Sequence, residues 1–255
     1  MARRRSPPAA PVPHARVVAD AARAGGRTLV LDGVEASYVD LGDPTHLEFP
    51  YVRRLGDIVD VVAPAGRPLA VLHLGGGGCT LPRYVAATRP GSRADVVELH
   101  PEVARLARDE LGATMRIRTG DARAAVEAAP RRTYDLVVAD VFHGPIVPRH
   151  LTTLEFVHTV RRTLRPAGAY AVNLIDEKPL RAARRATATV LAAFPETILL
   201  APRAVLSGRR AGNLVAAAAA RTLPVARLVR ASGDWDVLER EQALAWCDGA
   251  RPLRD

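Results

Sequence analysis

The chain has 255 residues, 48% of them hydrophobic and 25% charged, with a formal net charge of +9. Such a length and apolar share can build one sizeable α/β core, which excludes a chain disordered throughout. The longest apolar stretch, residues 214–220, is too short and too weakly hydrophobic for a membrane span, which needs about 18 residues.

Lys178 is the single lysine, so nearly all the positive charge is arginine, and the 4% of aromatic residues do not cluster with it. Nucleic acid is therefore not an expected partner, because single-strand binding interleaves basic and aromatic side chains. Residues 1–26 read as a flexible basic tail, rich in Pro and Arg. No apolar segment follows the first arginines, so no secretory signal is expected and the cytoplasm is the expected compartment. Cys79 and Cys247 are too few and too far apart for a disulfide framework, which fits a reducing interior.

Residues 27–66 begin with strand-like runs on both sides of Asp32-Gly33, which predicts a small β-hairpin. Leu47, Tyr51, Leu55 and Ile58 or Val59 then recur at helical spacing, predicting a helix over 47–63 with Pro50 in its first turn. Over residues 67–220 short apolar runs alternate with amphipathic ones. Strands are predicted at 69–74, 94–98, 115–119, 134–140, 169–175, 197–201 and 213–219, and helices at 80–89, 101–111, 122–128, 151–165 and 179–193. This alternation predicts an α/β fold with a mostly parallel seven-stranded sheet, its last two strands close enough to pair antiparallel at an edge. Residues 221–255, with Trp235 and Trp246 at the ends of a helix-like stretch, read as a C-terminal helical tail.

Four glycines, Gly75 to Gly78, close the first strand of that sheet. Glycines at a strand-to-helix turn let backbone approach a ligand and leave helix N–H groups facing it. Glu98 ends the second strand, where a carboxylate can accept hydrogen bonds from both ribose hydroxyls. Thr80 stands where a dinucleotide fingerprint calls for Gly or Ala, which disfavours NAD. "TGDA" at 119–122 ends the third strand with a polar turn, and Asp121 there can hold an adenine. Together these residues favour an adenosyl group without a pyrophosphate. Histidines 46, 73, 100, 150 and 158 share no metal-ligand spacing, so no metal is expected. Cys79, at a helix start, is either a thiol of lowered pKa or a small residue filling a crowded turn.

"LHLGGGGCTLPR", "VVELHPEV", "TGDARAAV" and "YDLVVADVFHGPIVPRHLTTLEF", followed by "LRPAGAYAVN", resemble the spermidine synthase family, polyamine aminopropyltransferases on the Rossmann-like class I methyltransferase fold. The resemblance covers roughly residues 28–220, hairpin included. It implies S-adenosylmethionine or its decarboxylated form as co-substrate, a small amine or other small acceptor as partner, and a homodimer. It also implies that Gly75, Gly76 and Gly77 line the aminopropyl side, Glu98 the ribose, Asp121 and Ala122 the adenine, and that Asp140 is the carboxylate beside the reacting centre. An amine nucleophile, with a Lys-like pKa of about 10.4, must lose a proton before attack, and a carboxylate can take it.

Departures from the family's pattern bear on the acceptor. Gly78 and Ala36 replace the family's usual Asp and Gln, and His143 replaces a second Asp three residues after Asp140; a neutral imidazole there can serve as base. Arg53 and Arg54 add positive charge nearby. Two alternatives stay open: a methyltransferase on a small acceptor, and a non-catalytic nucleoside-binding relic.

Overall fold

Asp32 and Gly33 both have positive φ (50° and 84°), the two-residue turn whose twist suits a hairpin. In this computed structural model, which describes residues 13–142, 144, 146–221, 223–231 and 233–255, the turn joins β2 (Gly26–Leu31) to β3 (Val34–Asp40). A further strand, β1 (Ala15–Ala19), pairs antiparallel with β2. The expected flexible tail over 1–26 is therefore corrected in its second half, whereas residues 1–12 lie outside the described residues. Ala15 and Val17 pack beside Leu29 and Val39. Five residues next to a Pro-rich stretch were too few to show a strand period.

The main sheet has eight strands: β4 (Ala70–Leu74), β5 (Arg93–Glu98), β6 (Arg116–Thr119), β7 (Tyr134–Ala139), β8 (Leu164–Asp176), β9 (Glu196–Pro202), β10 (Gly212–Ala219) and β11 (Trp235–Leu238), in spatial order β11-β9-β10-β8-β7-β4-β5-β6. β4 pairs parallel with β5 and β7, β5 with β6, and β7 with β8. β10 inserts antiparallel between β8 and β9. The expected α/β class and mostly parallel sheet are found. β11 adds a strand inside what the sequence reads as a purely helical tail: it pairs antiparallel with β9 and buries Trp235.

Central strands run apolar on both faces, as sheets covered twice must. Val71, Leu136, Val138, Val215 and Ala217 face α1 (Pro50–Val62), α2 (Thr80–Thr88) and α8 (Val225–Ala231). Leu72, Leu74, Val137, Leu214 and Ala216 face α4 (Ala122–Ala128), α5 (Leu154–Thr163), α6 (Arg181–Ala193) and α9 (Arg240–Cys247). α3 (Pro101–Asp109) carries Val103 and Leu106, which with Leu111 pack on Leu29 and Val39 of the small sheet. A single turn, α7 (Arg203–Leu206), follows β9. α5 starts three residues later than predicted because Arg149–Leu151 form a 3-10 turn and the Thr153 hydroxyl caps the helix by accepting from Phe156 N at 3.4 Å. Among the described residues no helix is long and apolar enough to cross a membrane.

The chain runs outward from β4 to β6 and then returns to the other side of β4 as β7. In open α/β sheets ligands bind at such a reversal, outside the carboxyl ends of the strands.

If β1 contributes to stability, a chain beginning at Asp20 should melt several degrees below one beginning at Pro13, since a few kcal/mol of lost strand burial moves Tm by roughly 2–4 °C per kcal/mol at this size. Thermal unfolding followed by circular dichroism measures this. Identical melting of the two chains would show that β1 is dispensable.

Candidate active site

At the β4–β7 reversal the backbone comes together before any side chain does. Asp140 N donates to Leu74 O at 2.8 Å and Gly75 N to Val97 O at 2.9 Å, so the ends of β7, β4 and β5 are tied side by side. Gly75 and Gly77 have φ of +86° and +47°, and a Cβ on Gly75 would lie 2.0 Å from Asp140 O. Glycine at 75 is thus required on both counts.

The turn's amides face Glu98. Its Oε2 accepts from Gly76 N at 2.9 Å and Gly77 N at 3.1 Å, and its Oε1 accepts from His100 N at 3.0 Å. A Cβ on Gly76 would stand 3.0 Å from Val96 Cγ1 and 3.4 Å from Glu98 Oε2, a tight fit. Gly75, Gly76, Gly77 and Glu98 are therefore brought together. Asp121 follows β6 on the same rim, and Gly120 N donates to Glu98 O at 2.9 Å. The Asp121 carboxylate has structural duties: Oδ1 caps α4 by accepting from Ala124 N at 2.9 Å, and Oδ2 meets His150 Nε2 at 3.1 Å. Ala122, the first residue of α4, is buried.

On the other side of β4, Asp140 is half-buried and its Oδ1 accepts from Asn173 Nδ2 at 2.9 Å. The Tyr51 hydroxyl, from the first turn of α1, donates to the same carboxylate. Burial raises Asp140 to about 6, against smaller lowering by Asn173 and Tyr51. Burial and the Asp140 charge hold Tyr51 well above its ordinary range, so it stays protonated. Tyr51, Asn173 and Asn213 are site residues the sequence reading missed. Tyr51 reads there as one apolar position of a helix, and two asparagines 40 residues apart carry no spacing signal. His143 lies outside the described residues.

Behind the turn, β3 covers Gly77 and Gly78. A Cβ on Gly78 would lie 2.8 Å from Ser37 Oγ; Ser37 Oγ lies 3.1 Å from Thr80 Oγ1, which donates to Tyr38 O at 2.6 Å. Cys79 takes a left-handed φ of 59° at the start of α2. Burial pushes its thiol up to about 12, so the space-filling reading holds and the lowered pKa does not. Arg54 is spoken for by Asp57 at 3.1 Å and by Ala231 O at 2.8 Å, and Arg53 donates to Leu47 O at 2.6 Å. The expectation that Arg54 adds free charge beside the acceptor is thereby corrected. Among the described residues no cluster of three His, Cys, Asp or Glu could hold a metal.

A glycine turn, an acidic residue at the end of the next strand and a third polar turn, all on one rim of a doubly covered parallel sheet, define a methyltransferase-like α/β protein. Human methyltransferase-like protein 13, solved with SAH, shares the fold at a TM-score of 0.55 and 23% identity, over 81% of this chain and 92% of that one. A spermidine synthase in complex with the transition-state analogue AdoDATO shares it at 0.59 and 20%, over 80% of this chain and 68% of that one. A probable spermidine synthase from Corynebacterium glutamicum is 30% identical at a TM-score of 0.87, over 98% of this chain and 97% of that one. The chain belongs to the spermidine synthase family. A polyamine aminopropyltransferase of Vibrio vulnificus is 31% identical over 143 residues, 52% of this chain and 45% of that protein, so the match spans less than half of that relative. No protein-family model matches the chain.

Because the folded protein holds Asp140 near 6 against 3.8 ordinarily, it binds this proton more tightly than the unfolded chain does. Stability from this group is full below about pH 4, is lost as pH rises through about 4 to 6, and stays reduced at pH 7. Asp140→Asn should therefore be more stable than wild type at pH 7 by roughly 1–3 kcal/mol and gain little at pH 4. Urea unfolding at the two pH values measures it; equal gains at both would mean that the charge is not what burial penalises.

Proposed function

We propose that the chain is an aminopropyltransferase-like enzyme that binds an adenosyl sulfonium at the glycine turn and transfers a group to a small amine. The observation that carries this reading is the Tyr51–Asp140–Asn173 constellation beside a turn that only glycine can make. The residues fit an adenosyl group. A Cβ on Gly76 would fit tightly, 3.0 Å from Val96 Cγ1 and 3.4 Å from Glu98 Oε2, and Glu98 offers a carboxylate to two ribose hydroxyls. Asp121 and Ala122 form the rim suited to adenine, the Asp121 contribution falling to its backbone and remaining lone pairs. Decarboxylated S-adenosylmethionine, when bound, supplies the electrophilic carbon and a thioether leaving group.

The chain's own residues do the rest. Asp140 receives the acceptor's ammonium and takes its proton, which frees the nitrogen lone pair. Its position near pH 6 suits a base that works at neutral pH. Tyr51 donates to the carboxylate and closes it from the α1 side. His143 is retained in this proposal as a neutral base on the acceptor side, and a cytoplasmic homodimer as the assembly. AdoDATO in a neighbour of the same fold supports the choice of co-substrate.

One observation favours methyl transfer as a second reading: Gly78 leaves hydroxyls, those of Ser37 and Thr80, where a carboxylate would grip the co-substrate's amino group. Calorimetry with both forms of the co-substrate separates the readings. Tighter binding of the decarboxylated form supports aminopropyl transfer, and tighter binding of the intact form supports methyl transfer.

Glu98→Ala should weaken binding of either form by at least tenfold, because charge-assisted hydrogen bonds to ribose are worth about 1.5–3 kcal/mol each before water replaces them in part. It should also lower Tm by several degrees, since Gly76, Gly77 and His100 lose their acceptor. Unchanged affinity in a folded variant would remove the ribose from the end of β5.

The side chains that hydrogen-bond Asp140, Tyr51 and Asn173, are neutral at pH 7, so beside Asp140 a diamine meets a single carboxylate. An unpaired ammonium leaving water loses several kcal/mol, and every 1.4 kcal/mol is tenfold. A monoamine should thus be turned over at least tenfold better than putrescine, with kcat/KM falling as pH drops through about 6. Asp140→Asn should abolish that limb. An amine panel assayed from pH 5 to 8 tests this, and efficient spermidine formation from putrescine would overturn it.

A further inference from the structure

Asn213, the second residue of β10, touches neither Asp140 nor the glycine turn by any hydrogen bond, yet it is joined to Asp140 by one intermediary. Its Nδ2 donates to Asn173 Oδ1 at 3.1 Å, and Asn173 Nδ2 donates to Asp140 Oδ1 at 2.9 Å. The register explains the contact. Asn173 lies opposite Val215 and Asn213 opposite Ile175, so residues 173 and 213 are diagonal neighbours on the face that α1 covers. Asn173 is 1% exposed.

A buried amide can be turned end for end without changing its shape, so its direction is set by its neighbours. An ionised carboxylate only accepts, and therefore Asn173 presents its NH2 group to Asp140. Its carbonyl oxygen is then left needing a donor, and Asn213 supplies one. Without Asn213 the reversed amide, carbonyl against carboxylate, becomes competitive whenever Asp140 carries a proton.

We propose that Asn213 is a positioning residue for Asp140, acting through the Asn173 amide so that the carboxylate stays anchored from β8 on one oxygen and meets the acceptor amine in its ionised form. The functional consequence rests on the aminopropyl-transfer reading; the relay itself does not.

The groups around Asp140 leave the relay readable. Tyr51 faces it from α1 and stays protonated. Arg53 and Arg54 of that helix are turned to Leu47 O and Asp57. His73, on the same face of β4, is held down to about 3 by burial and stays neutral. Asp176, at the end of β8, accepts from Glu177 N and Ala183 N. His143 lies outside the described residues, so the titration must be read on Asp140 itself.

The test is a carbon-13 carboxyl titration of the full chain, with the Asp140 signal identified by its loss in Asp140→Asn. Asn213→Leu keeps the side chain's shape and removes the donor. The Asp140 midpoint should rise by half a pH unit or more, and the acid limb of kcat/KM should move with it, roughly threefold in rate at a pH below the limb. KM for the amine on the alkaline side should stay within twofold, which mere loosening of the site would not give. Asn173→Leu, which removes the direct bond, should raise the midpoint at least as far; if Asn213→Leu fails to fold, Asn213→Ala removes the same donor and is read in the same way. An unmoved midpoint in folded Asn213→Leu overturns the proposal. A midpoint that moves in a protein that transfers nothing to any amine upholds the relay and sinks the aminopropyl-transfer reading.

Discussion

The site depends on how closely the end of β4 approaches the end of β7. A Cβ at residue 75 would lie 2.0 Å from Asp140 O and 2.8 Å from its carbonyl carbon, and φ at Gly75 is +86°. No rotamer change relieves a clash between Cβ and backbone, so any other residue must part the two strands. That parting would break Asp140 N to Leu74 O and move the carboxylate away from the turn. One contact therefore holds the turn open toward Glu98 on the β5 side and holds Asp140 in place on the β7 side.

The two carboxylates so placed live in different surroundings. Glu98 is met by three backbone amides, a setting that replaces water with fixed dipoles and suits steady hydrogen bonding. Asp140 has one side-chain amide and one phenol, and burial outweighs them, lifting it to about 6. Two acids on the strands that flank β4 thereby sit in different surroundings, which the proposed function uses to hold ribose with one and to take a proton with the other.

Most of the parallel sheet was legible because runs such as "VLHL" and "YDLVVA" are long enough to show their period and are followed by clear helix starts. The glycine turn and Glu98 were legible because their spacing reflects a local βαβ geometry. β1 and β11 were not: β1 lies beside a Pro-rich stretch and β11 within a stretch read as helical, and their strand state comes from pairing and not from pattern. Asn173 and Asn213 were invisible for a related reason. Only the antiparallel register of β8 and β10 brings them together, and register is a tertiary fact. Asp121 is the reverse case: the sequence marks it as a ligand residue, and the fold in addition uses its side chain to cap α4.

The small sheet is part of the site and not an appendage to it. Ser37 reaches from β3 to within 2.8 Å of where a Cβ on Gly78 would stand, so a side chain at 78 would require the Ser37 hydroxyl to turn away. The hydroxyls there have a direction. Thr80 has one hydrogen and gives it to Tyr38 O, so the Ser37 hydrogen goes to Thr80 Oγ1 and Ser37 keeps only lone pairs. What faces the turn from this side is a neutral acceptor. A ligand amino group there would meet a dipole where a carboxylate would have met it with full charge, a hydrogen bond worth about half as much. On the proposed reading, recognition of the co-substrate then falls more heavily on Glu98, and discrimination at the tail on shape.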